Sequence, residues 1–144
     1  MATPRVEKAY EKLAWVFLFG IGALFFIGAV THIAGQGVND VDLGAASTSL
    51  ANFVRMNDRE QGIGLGGFSA LVMAISRFSY RKGDQWAWYA LLIVPLFVLG
   101  GMIDNILAGQ TSILFFSIPL VIISLLGLLL PYRKFFPRKQ ASIA

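Results

Sequence analysis

The chain of 144 residues contains no cysteine. Disulfides, thiolate metal sites, iron–sulfur ligation and every cysteine-dependent redox step are thereby excluded. It contains a single histidine, His32, so one copy cannot supply both axial ligands of a bis-histidine haem. Charge is scarce too: 14% of residues are Asp, Glu, Lys or Arg, against about a quarter in soluble domains. No Asn-X-Ser/Thr sequon occurs. The middle of every long apolar run lacks an ionisable residue, where small transporters usually keep one.

What remains is largely apolar, 56% hydrophobic by composition with a mean hydropathy of +0.67. Four apolar runs cover residues 13–34, 61–79, 86–108 and 113–130. As a helix the first is roughly 33 Å long, enough to cross a hydrocarbon core of about 30 Å. The expectation is an all-α membrane protein, a four-transmembrane-helix bundle forming one membrane domain over residues 1–144. Thr3-Pro4 is a helix-start signal ahead of the first run. Glu7, Lys8, Glu11 and Lys12 give that run a mixed-charge entry, and a cut after Ala34 would put His32 at −3. Both features favour a retained span over a cleaved signal peptide.

Lys and Arg alternate with the runs. Arg5, Lys8 and Lys12 precede the first, Arg77, Arg81 and Lys82 follow the second, and Arg133, Lys134, Arg138 and Lys139 follow the fourth. Only Arg55 and Arg59 lie in the first connection, and the third connection has neither residue type. Short loops rich in Lys and Arg stay on the cytoplasmic side, which places both termini inside the cell membrane. The net charge of +4 and isoelectric point near 9.7 then reflect attraction to anionic headgroups. The lipid bilayer is the expected partner, and nucleic acid is not.

In the second run Gly62, Gly66, Ala70 and Ala74 recur at every fourth residue, with Gly64 and Gly67 beside them. In lipid such a stripe lets another helix approach closely, and it reads as a packing seam; the alternative is the general frequency of glycine in membrane helices. Trp86, Trp88 and Tyr89 open the third run and Trp15 lies near the start of the first, as interfacial anchors. Pro95 is expected to kink the third run or loosen one turn. Arg77 and Asp84 flank the preceding turn and are suited to pair across it. The link Gly109-Gln110-Thr111-Ser112 is short enough to make the last two helices antiparallel neighbours.

The first and third runs also share sequence. Ala14-Trp15 aligns with Ala87-Trp88, Leu18 with Leu91, Gly28 with Gly101 and Ile33 with Ile106. One residue of slip matches Ala34-Gly35-Gln36 with Ala108-Gly109-Gln110, and the runs that follow both end in Tyr-Arg-Lys, at Tyr80 and Tyr132. Either two tandem helical hairpins arose by duplication, or similar membrane borders converged.

The long first connection holds a second expected feature. Asp42 can cap an amphipathic outer helix over about residues 43–57, with Leu43, Ala46, Leu50, Phe53 and Val54 on its apolar face. By helical rise His32 and Asp104 stand at similar heights, about 28 and 27 Å above the starts of their runs. With Asp58, Arg59, Glu60 and Asn105 they form a candidate outer polar cluster. His32 with Asp104 or Glu60 is a weak candidate for a metal or proton-handling pair, since no His-x-x-His or Glu-x-x-His spacing occurs. The plainer reading is a set of hydrated interfacial residues that pair with one another.

The run Tyr80-Arg81-Lys82-Gly83-Asp84-Gln85-Trp86-Ala87-Trp88-Tyr89-Ala90-Leu91, with Pro95 following, resembles small four-helix integral membrane proteins of bacteria and archaea that are DoxX-like in layout. They share a long first outer loop and a glycine-rich second span entered through a turn like Arg59-Glu60-Gln61-Gly62. The resemblance covers the middle third of the chain. It implies a prokaryotic membrane bundle and carries no catalytic residues. Three functions remain open. The foremost is a non-catalytic accessory or structural subunit of a larger membrane complex, an oxidoreductase among the options. The alternatives are a small enzyme or metal- or proton-handling protein, and an oligomeric transporter. The expected protein partners are other membrane subunits or further copies of the chain. No cofactor is called for.

Overall fold

Runs of Leu, Ile, Phe, Val and Ala without water can satisfy their backbone only within helices, and helices are what form. The computed structural model describes residues 9–36 and 47–137. Thr3-Pro4, the capping Asp42, Leu43, Ala46 and the flanking basic residues Arg5, Lys8, Arg138 and Lys139 lie outside them. Among the described residues no strand occurs. The helices are α1 (Ala9–Ile33), α2 (Thr48–Ile75), α3 (Gln85–Leu91), α4 (Ile93–Leu107), α5 (Leu114–Leu129) and α6 (Tyr132–Phe135). A π-helical turn, Ser76–Tyr80, extends α2, and a 3-10 turn, Thr111–Ile113, leads into α5. Four stretches are long and apolar enough to cross a membrane: Glu11–Ile33, Thr48–Tyr80, Gln85–Leu107 and Leu114–Phe135. This is the pattern of a multi-pass membrane protein.

One expectation needs correction. The outer helix at 43–57 and the span at 61–79 are not separate elements, because α2 runs unbroken from Thr48 to Ile75. The polar run Asn57-Asp58-Arg59-Glu60-Gln61 marks a change in lipid solubility, but it holds neither proline nor glycine to stop a helix. The ten residues from Thr48 to Asn57 thus prolong the span by about 15 Å.

The third span is interrupted at Leu92, between α3 and α4. Pro95 explains the break, since it has no N–H to offer the Leu91 carbonyl and its ring crowds that group. The Leu92 amide bonds to the Tyr89 carbonyl at 3.2 Å, a tightened turn. Pro119 sits in the second turn of α5 without breaking it.

The described residues fall into two compact units: Gly22–Met73, and the residues up to Ile21 together with those from Ala74 onward. In the second of these, α4 and α5 pack together. Tyr80 is its keystone: its hydroxyl donates to the Gly127 carbonyl at 2.5 Å, and its ring lies 4.6 Å from that of Phe135. A Cβ at Gly127 would come 3.0 Å from Leu18 Cγ, so α5 meets α1 closely at the same residue. Trp88, expected as an interfacial anchor, is half-buried. Its indole N–H donates to the Leu128 carbonyl at 2.9 Å, and its ring meets Tyr89, Tyr132 and Phe136 edge-on. Trp86 and Tyr89 are exposed, as interfacial residues are.

Candidate functional site: a histidine–aspartate clasp

Unit Gly22–Met73 is an antiparallel pair made from the second half of α1 and most of α2. Each helix yields to the other at one glycine. A Cβ at Gly22 would come 2.9 Å from Met73 Cγ and 3.3 Å from the Ser69 carbonyl oxygen. A Cβ at Gly62 would come 2.9 Å from the Ala29 carbonyl oxygen, His32 Cβ and Ile33 Cγ1 alike. Gly66 is less constrained, with Ala29 Cβ at 3.6 Å.

The predicted seam Gly62, Gly66, Ala70, Ala74 therefore reaches α1 only through its first two members. Ala70 and Ala74 are exposed. Helical geometry gives the reason: each step of four advances a side chain by about 40°, so Ala74 points about 120° away from Gly62. The buried line on α2 is Asp58, Gly62, Ser69 and Val72, whose steps of four, seven and three hold one face. Ser69 fits there because its hydroxyl donates to the Leu65 carbonyl at 2.6 Å.

At the end of this pair where residues 34–47 join the two helices, His32 Nδ1 lies 2.5 Å from Asp58 Oδ1. With Asp58 as a carboxylate the nitrogen is the donor, which leaves Nε2 of a neutral ring free to accept. The Asp58 side chain is only 8% exposed and that of His32 is 34% exposed. Asp58 Oδ2 is buried with no hydrogen-bond partner. The carboxylate is thus half-satisfied, bonded on one oxygen and bare on the other.

The sequence reading pairs His32 with Asp104 or Glu60; the structure gives it Asp58. Glu60 follows Asp58 by two residues, about 200° around the helix, and is exposed together with Arg59. Asp104 belongs to the other unit and is exposed, and Asn105 Nδ2 donates to the Gly101 carbonyl of its own helix at 2.7 Å. Of the six residues in the expected cluster, His32 and Asp58 are the two that bond to each other. Compared with protein-family models, curated proteins and solved structures, the chain matches none. Function must then be read from the residues.

Chemically the clasp is the orienting half of a histidine–carboxylate system: the carboxylate fixes the ring, and Nε2 is the working atom. Among the described residues no group of three His, Cys, Asp or Glu side chains is arranged to hold a metal ion. What the pair does without further groups is tie α1 to α2 beside the link that joins them.

Proposed function

We propose that this chain is a non-catalytic helical subunit of a larger assembly in a prokaryotic cell membrane, with both termini in the cytoplasm. The observation that carries this is the second small-residue face of α2. Gly64 and Gly67 would meet nothing within 4 Å if given a Cβ, and Ala70 is exposed beside them. Glycine in a helix interior costs about 0.5–1 kcal/mol relative to alanine, and lipid gives no return on a bare groove. A helix from another subunit does give one, through close backbone approach and dispersion contact. One glycine face of α2 serves the chain's own hairpin, and the other is available to a neighbour. The test is gentle extraction and mass measurement of the native protein, compared with a Gly67→Leu, Ala70→Leu variant.

A second reading has its own support. The bare Asp58 Oδ2 and the second ring nitrogen of the bonded His32 suit a proton-handling role. Replacing His32 by Gln separates the two readings: assembly persists under either, whereas a proton-linked activity of the complex is lost only under the second.

A further inference from the structure

The other compact unit carries a second constellation. Trp15 stands one turn into the first span, with its ring edge-on to Phe19 at 5.9 Å. Two guanidinium groups lie on that one indole. Arg77, inside the π-helical turn, and Arg81, directly after it, each place their guanidinium carbon 5.5 Å from the ring centroid. The two carbons are therefore no further apart than twice that distance. The expected pairing of Arg77 with Asp84 is absent. Among the described residues neither arginine has a carboxylate within ion-pair reach, and both are exposed. Lys134 adds a third positive group, its ammonium donating to the Arg81 carbonyl at 2.9 Å while its stem covers Gly83.

The remaining charges described at this border are Glu11, Lys12, Lys82, Asp84 and Arg133. Glu11 is buried and has a partner of its own, and it makes no ion pair with either arginine. A guanidinium held over a ring by cation–π attraction keeps N–H groups open to an acceptor. Two such forks beside one ring offer donors to the oxygens of a phosphate group, which planar arginine binds in bidentate fashion. The flank of the site indicates where that phosphate comes from. Phe78 follows Arg77 and is 64% exposed, and Val16 follows Trp15 with 44% exposed. These apolar side chains offer a bed to acyl chains, which a soluble phosphate would not use.

We propose that Trp15, Arg77 and Arg81 form a binding site for the phosphate of an anionic membrane phospholipid, with Lys134 alongside. Basic pockets between spans bind such headgroups by charge and geometry together. Here the indole shared by both guanidinium groups supplies what charge alone lacks.

The test uses the full chain purified in detergent, with bound lipid counted by native mass spectrometry during titration with phosphatidylglycerol or phosphatidylcholine. Saturable retention of phosphatidylglycerol, and not phosphatidylcholine, is expected. Arg77→Lys with Arg81→Lys keeps every charge and loses the planar forks; its affinity should fall at least tenfold. Trp15→Leu should fall similarly. Lys12→Gln with Lys82→Gln removes two charges from the same border and should stay within twofold. Overturning results are an arginine-to-lysine variant that binds like the wild type, or a lysine variant that falls as far. Displacement of the lipid by millimolar inorganic phosphate would assign the site to soluble phosphate and overturn the lipid.

Discussion

Gly62 and Ala29 are in backbone-level contact: a Cβ at position 62 would come 2.9 Å from the Ala29 carbonyl oxygen, closer than real Cβ atoms approach. Gly66, one turn further along the same helix, has 3.6 Å to its nearest neighbour on α1. Two glycines of one sequence stripe thus have different duties. Gly62→Ala should destabilise the protein by about 1–3 kcal/mol through overpacking. Gly66→Ala should be neutral or stabilise it by up to about 1 kcal/mol through helix propensity. Thermal unfolding in detergent, followed by helical circular dichroism, separates them; equal effects would show that the two positions pack alike.

The His32–Asp58 clasp predicts a non-additive double-mutant cycle. His32→Ala leaves a buried carboxylate with both oxygens bare. Breaking a buried pair costs about 3–5 kcal/mol, and the part-exposure of His32 reduces this to about 1–3 kcal/mol. Removing Asp58 as well should restore stability to within about 1 kcal/mol of wild type, because no unpaired charge remains. A double variant as unstable as the sum of the singles would mean that the two residues act independently.

The two Tyr-Arg-Lys borders differ in what their tyrosines do. Tyr80 is 2% exposed and bonds to Gly127, whereas Tyr132 is 46% exposed. Tyr80→Phe should cost about 1–2 kcal/mol by leaving the Gly127 carbonyl without its donor. Tyr132→Phe should stay within about 0.5 kcal/mol of wild type, as surface substitutions generally do. Comparable losses would contradict the separate roles.

At two of the aligned pairs the hairpins correspond in burial. Ala14 and Leu18 in the first, and Ala87 and Leu91 in the second, are all 0% exposed. Each aligned tryptophan also meets the border of the next span: Trp15 lies under Arg81, and Trp88 touches Tyr132.

The four apolar stretches were legible in the sequence because hydropathy summed over some twenty residues is a bulk property that no single neighbour changes. The continuity of α2 was not, since the Asp58–Gln61 run alters solubility and leaves the backbone free to go on. The seam was half legible. Glycine at positions 62 and 66 announced close approach, but a strict four-residue repeat drifts off the contact face before Ala70. His32 and Asp58 could be placed at one level by counting turns. Choosing Asp58 over Glu60 needed the facing of α2, which only its packing on α1 decides. Placement of Arg77 and Arg81 over Trp15 had no sequence signal beyond the aromatic and basic character of the border.

The central claim, that the chain works within a larger membrane assembly, is tested most directly by the mass of the particle released from native membranes by mild detergent. A heteromeric particle well above the mass of one or two copies is predicted. Gly67→Leu with Ala70→Leu should release the chain from it while thermal unfolding stays within a few degrees of wild type. A wild-type chain that runs alone, as a monomer or homodimer, would contradict the claim.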